Sequence, residues 1–145
     1  MEENTLKHLE FLQSNISRMS QCSFQIKGLE IAILAALLAI YAASIGRVSG
    51  GNPLFILITV ILTVIFWILD SYYLSKEKDY RELYNCVAGL NSTGKTVDLF
   101  CLDTHVLDED QTKIIKTMFT PTEFGLYGLL TIGLILFSII IKVVF

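Results

Sequence analysis

Apolar residues fill this chain in three long runs, and the polar stretches between them repeat mostly at helical spacing. The runs extend from Gly28 to Gly46, Leu54 to Leu74 and Phe124 to Ile141, each 18 to 21 residues long. At 1.5 Å rise per residue such a run reaches about 27–31 Å, the thickness of a bilayer's hydrocarbon core. Three helices of this kind leave no polar face to dissolve a soluble fold, so the pattern predicts an all-α membrane protein with three transmembrane helices. The expected plan is an N-terminal amphipathic helix (1–27), a first span (28–46), a short outer loop (47–53) and a second span (54–74). A small helical stalk and loop region (75–123) and a third span (124–145) follow.

The polar stretches carry their own patterns. Before the first span, Leu9, Leu12, Ile16, Met19 and Ile26 fall at spacings of three, four and seven, one apolar helical stripe. It suits docking on the membrane surface, or a short bundle against copies of itself that runs on into the span. The second span has no stop signal at its inner end, and Tyr73, Tyr80, Leu83, Tyr84 and Val87 continue at helical spacing, which predicts a stalk leaving the membrane. Trp67, Tyr72 and Tyr73 sit where an interfacial aromatic belt belongs, and Asp70 at the same level reads as a helix end. Further on, "TVDLFCLDT" predicts one strand and "DEDQTKIIKTMF" one short helix, with Asp108, Glu109 and Asp110 placed to suit its dipole. "TPTE" (Thr120 to Glu123) reads as a capping box with proline at N1, starting the third span.

Composition agrees, with 53% hydrophobic and 17% charged residues. Charge adds orientation. Of eleven basic residues only Arg47 and Lys142 fall outside the N-terminal segment and the stretch between spans 2 and 3, which predicts a cytoplasmic N-terminus and a cytoplasmic long loop. The first run is too long for a signal-peptide core and has a second span close behind it, so it is expected to stay. Glu30 and Asp70 are expected near the inner interface, leaving no charge within the hydrocarbon and disfavouring an ion-coupled transporter.

Several stretches invite a chemical reading. "GLNSTGKT" (Gly89 to Thr96) fits the phosphate-binding GxxxxGK[ST] pattern, but a helical segment precedes it and too little chain follows for an α/β nucleotide domain, so a Gly-rich turn is expected. Cys22, Cys86 and Cys101 with His8 and His105 lack metal-ligand spacing and are expected as free thiols and ordinary histidines; no cofactor is implied. The sequons at Asn15 and Asn91 face the cytoplasm in this topology and are not expected to be glycosylated. No nucleophile, base and orienting group can be placed together, so no enzyme is expected. Lys76, Lys78 and Arg81, interleaved with Tyr80 and Tyr84, could stack on and neutralise a nucleotide or single strand, or simply form a solvated stalk face. The stretch 75–123 carries nine acidic residues against six basic ones, so any anion site there is local. Thr59 and Thr63 share one face in the middle of span 2: either they bond back to their own backbone, or they line a pore. Ala35, Ala39 and Ala43 place small side chains on one face of span 1, suiting close packing of copies or of helices within one chain.

"KHLEFLQSNISRMSQCSFQIKG" leading into span 1, "FWILDSYYLSKEKDYRELY" at the end of span 2 and "TPTEFGLYGLL" opening span 3 resemble small bacterial inner-membrane effectors of anti-phage defence. The nearest in shape are the membrane channel effectors of Hailong-type systems. That resemblance implies a homo-oligomeric ion channel that depolarises the infected cell and is kept shut by a single-stranded DNA oligomer made by a partner nucleotidyltransferase. The rival expectations are a non-conducting membrane anchor or assembly subunit for a cytoplasmic partner, and a holin-like lesion former without a ligand.

Overall fold

The computed structural model describes residues 3–45, 53–90, 97–104 and 112–144. All regular structure among them is helical: α1 (Glu3–Ile45), α2 (Pro53–Val87), α3 (Lys113–Met118) and α4 (Pro121–Glu123), which passes through one π segment (Phe124–Gly128) into α5 (Leu129–Val144). Three helical stretches are long and apolar enough to cross a membrane, lying within α1, within α2 and over Pro121–Ile140. Their outward surface is apolar, with Leu29, Ile31, Leu57, Ile61, Ile65, Ile132 and Ile135 exposed. Such a surface suits hydrocarbon and not water.

α1 does not divide at residue 27. It contains no proline, and its one glycine, Gly28, sits in open space where the helix simply continues. At 43 residues it is about 65 Å long, and α2 at 35 residues about 52 Å, so both outrun a bilayer core of roughly 30 Å. The two run antiparallel: Leu12 clusters with Leu83, Ser23 meets Asp70, and Tyr41 packs on Ile56. Leu9, Leu12 and Ile16 of the predicted stripe are buried. Leu12 packs with Leu83 and Cys86 of the chain's own stalk, flanked by Tyr80, Tyr84 and Val87.

α2 ends in a Schellman turn. Gly89 adopts φ +70, its N–H donates to the Cys86 carbonyl (3.2 Å) and Leu90 N–H to that of Asn85 (2.9 Å). The first glycine of "GLNSTGKT" is thus a helix cap preceded by helix; residues 91–96 of that motif lie outside the described residues, as do the loop 46–52, Lys95, His105 and Asp108 to Asp110.

The predicted strand does not form. Residues 97–104 instead make a tight turn, with Cys101 N–H donating to the Asp98 carbonyl (3.1 Å). A lone strand needs a ladder partner, and none exists among the described residues. His8 satisfies this backbone instead: its Nε2–H donates to the Cys101 carbonyl (3.0 Å) and its Nδ1 accepts from Phe100 N–H (3.3 Å). Phe100 is held at φ +63, a left-handed conformation that a non-glycine residue keeps only when its surroundings impose it.

The corner before the last span also departs from expectation. Thr120 is the N-cap and Pro121 occupies the first turn, but no capping-box hydrogen bonds form. Thr120 Oγ1 donates back to the Thr117 carbonyl (2.7 Å), and the Glu123 carboxylate turns to Lys27 (3.2 Å), a full charge outbidding a backbone amide.

Candidate functional site

Where α1, α2 and the start of the last span meet, the bundle buries a connected polar cluster. Asp70 is wholly buried at its centre. Its Oδ1 accepts from Ser23 Oγ (2.5 Å), and its Oδ2 accepts from Tyr127 OH (2.9 Å) and pairs with the Lys27 ammonium. Lys27 also donates to Ser23 Oγ (3.0 Å) and reaches Glu123 Oε1 (3.2 Å). One aspartate thereby joins three helices, its two oxygens taking three donors. Asp70 marks no helix end, because α2 continues from it to Val87 as the unbroken helical pattern predicts. Trp67 is likewise not a free belt residue. It stacks on Tyr127 (6.1 Å, 9° between planes), meets Phe119 and Phe124, and donates to the Met118 carbonyl (3.2 Å). Tyr72, in contrast, is exposed, where a membrane interface can meet it.

Further into the apolar part of the bundle lies Glu30, only 2% exposed. Neither of its carboxylate oxygens has a hydrogen-bond partner, and Glu123 Oε2 has none either. Thr63 adjoins Glu30, but its hydroxyl is spent on the Thr59 carbonyl (3.1 Å), and Thr59 Oγ1 donates to the Phe55 carbonyl (2.7 Å). Both threonines are buried against α1, within one protomer. The seam between α1 and α2 therefore carries a file of polar groups: Lys27 with Asp70, then Glu30, Thr63 and Thr59. Beyond Thr59, Tyr41 and Ile56 close it, and Tyr41 meets Phe137 of α5 edge-on at 6.1 Å. Glu30, expected near the inner interface, lies between exposed Leu29 and Ile31 yet points inward.

The stalk cations do not form one patch. Lys76 lies 3.9 Å from Asp79, Arg81 pairs with Glu77 (2.5 Å), and Lys78 donates to Thr117 Oγ1 (3.2 Å), tying the stalk to α3. Asp79 also holds Lys113 (2.9 Å), and that hydrogen bond keeps the Lys113 ammonium above the usual lysine range. Of the three predicted cations, Arg81 stands in an open groove between α1 and α2, whose walls include Gln13, Ile16, Ser17, Gln21 and, nearer the α2 end, Tyr84 and Asn85. Tyr80 and Tyr84 are half-buried against the Leu12 cluster, so neither offers a whole ring face to solvent. Ala35, Ala39 and Ala43 lie on the exposed side of α1, away from α2.

Sequence reasoning passed over Ser23, Lys27, Glu123 and Tyr127 as a group. One signal was available: each apolar run has an ionisable residue at or just beside the same end, Lys27 and Glu30 for the first, Asp70 for the second and Glu123 for the third. No protein-family model matches the chain, and neither a curated protein nor a solved structure is similar to it.

Proposed function

We propose that this chain is a three-span protein of the bacterial inner membrane, with its N-terminus and residues 75–123 in the cytoplasm, whose copies assemble into a gated pore. The observation that carries this reading is the polar file from Lys27 to Thr59 inside an otherwise apolar bundle. Ionisable groups held at such depth are costly, and they mark ion paths, gates or ligand contacts more often than scaffolding. The exposed small-residue face at Ala35, Ala39 and Ala43 supports assembly, since it lets a second helix approach closely. On the resemblance described above, the pore is a channel effector of anti-phage defence that collapses the membrane potential. Its signal, a nucleotide or a single-stranded DNA oligomer from a partner nucleotidyltransferase, would meet the groove around Arg81, where a phosphate finds a guanidinium with the half-buried Tyr84 alongside.

The back-bonded hydroxyls of Thr59 and Thr63 favour the second reading, a non-conducting anchor for a cytoplasmic partner. Two measurements separate them. Reporters fused after Leu90 and at Phe145 should read cytoplasmic and periplasmic respectively; cytoplasmic signal at both would refute the three-span topology. Purified protein in liposomes should then pass ions, and Thr59→Val with Thr63→Val should alter that flux if the file conducts. Sealed liposomes with a correctly oriented protein and no flux under any added oligonucleotide leave the anchor reading.

A further inference from the structure

Lys27, Asp70, Glu123 and Glu30 bring three carboxyl groups together against one ammonium. Lys27 and Asp70 neutralise each other, and Asp70 has a donor on each oxygen. That leaves Glu123, which shares Lys27 through one oxygen, and Glu30, beside which the Thr63 hydroxyl is turned to the Thr59 carbonyl. An ionised carboxylate cannot remain buried and unpaired, because desolvation costs more than folding can supply. Something must bring positive charge to Glu30.

The space beside it decides what. A void of about 10 Å³ adjoins Glu30, bounded by Leu34, Leu37, Phe66, Thr59 and Thr63. That is about one water-sized position. A bound metal cation would want six or so oxygen ligands, and among the residues lining this space only Glu30, Thr59 and Thr63 carry a side-chain oxygen. A proton needs no such shell.

We propose that Glu30 is a reversible proton-binding site within the inner half of the membrane, reached from the cytoplasmic pole past the Lys27, Asp70 and Glu123 pairs. The ionisable groups around it are Lys27 on its own helix, Asp70 on α2, Glu123 on α4 and Tyr127 in the π segment. With the proton bound, Glu30 is neutral and the α1/α2 seam stays closed. Without it, an uncompensated anion sits between the helices and drives the seam to open to water. The proposal rests on the membrane insertion argued above and not on conduction.

The test uses the full chain in phosphatidylcholine and phosphatidylglycerol liposomes, treated with dicyclohexylcarbodiimide. This apolar reagent adds a protonated carboxyl across its carbodiimide bond, the proton passing to nitrogen, and leaves a stable acylurea of known mass. Peptide mapping should place the adduct on Glu30, and its yield should fall as the pH is raised. Glu30→Gln should abolish the adduct and remove one protonated-carboxyl stretch from the infrared spectrum, while Glu123→Gln should keep the Glu30 adduct. Mapping of the wild-type protein stands even where a variant fails to fold. Protein that floats with the liposomes but bears no Glu30 adduct, or one whose yield ignores pH, overturns the proton site and leaves the membrane reading intact. Protein that does not float with the liposomes overturns both.

Discussion

Replacing Lys27 by methionine keeps most of the side chain's volume and removes its charge. Three acceptors then lose a donor: Asp70 Oδ2, Glu123 Oε1 and Ser23 Oγ. Asp70 keeps Ser23 and Tyr127 but becomes a wholly buried anion without a counterion. Removing one partner of a buried pair costs about 3–5 kcal/mol. Asp70→Asn is milder, because Lys27 still has Glu123, and the loss of charged hydrogen bonds costs about 1.5–3 kcal/mol. The double variant removes both charges at nearly constant volume and should recover much of the Lys27→Met loss, giving a coupling of about 2–3 kcal/mol. The chain's one tryptophan, Trp67, stacks on Tyr127 and so reports the site directly. Thermal melting of detergent-solubilised protein, followed by Trp67 fluorescence, should drop by roughly 6–20 °C for Lys27→Met at about 2–4 °C per kcal/mol. A Lys27→Met protein that melts with the wild type, or a double variant no more stable than that single one, would refute the buried-pair account.

Three further outcomes follow from the same geometry. Ala39→Leu, on the exposed face of α1, should lower the oligomer size measured by light scattering in detergent without changing the melting of the protomer; an unchanged oligomer assigns that face to lipid. Arg81→Ala should weaken binding of a single-stranded oligonucleotide more than Lys76→Ala or Lys78→Ala does, because Arg81 alone of the three stands in the α1/α2 groove. It should also flatten the salt dependence of that binding by about 0.7 for each phosphate no longer neutralised. Equal effects at all three, or none, would move the site off the groove. His8→Ala removes both bonds that hold residues 100 and 101, so hydrogen exchange at Phe100 should accelerate about 5- to 30-fold, the factor of a 1–2 kcal/mol loss; unchanged protection would mean the turn stands on its own.

The spans were legible because hydrophobicity is a property of each residue in turn, and a run of it needs no knowledge of neighbours. The apolar stripe at Leu9, Leu12 and Ile16 was legible for the same reason, but what it faces was not. Periodicity shows that a face must be buried, and the burying partner here is Leu83 on a helix seventy residues away. Asp70 shows the limit more sharply. Judged by its depth along α2 alone it sits near the end of an apolar run, where a polar residue is ordinary. Its meaning depends on the antiparallel register that sets it against Lys27 and Ser23, and on a third helix that brings Tyr127. The strand expected over 96–104 does not form over its described residues, 97–104, for the same reason: the local pattern suits a strand, but a buried histidine at the far end of the chain supplies the backbone's partners.

The groove around Arg81 and the polar file below it lie between the same two helices, and this bears on how a signal could reach a gate. A ligand bridging Gln13 and Tyr84 sets the spacing of α1 and α2 at that end of the bundle. Continuous helices transmit such a change along their length, since α1 continues through its one glycine, Gly28, and the only proline of α2 is its first residue. The next groups met along the seam are Ser23, Lys27 and Asp70, and after them comes Glu30. A ligand that holds the pole closed therefore also holds the charges paired and Glu30 dry. Its departure acts on the same seam in the opposite sense, lowering the cost of parting helices that already hold one carboxyl without a partner. Two inputs, an anion at the groove and a proton at Glu30, would thus bias one element. Linkage requires that each change the affinity for the other by the same factor, so ligand affinity should fall as the pH rises, and Glu30→Gln should remove that dependence. Ligand binding by the Glu30→Gln protein that keeps the wild-type slope against pH would separate the two sites and refute the shared seam.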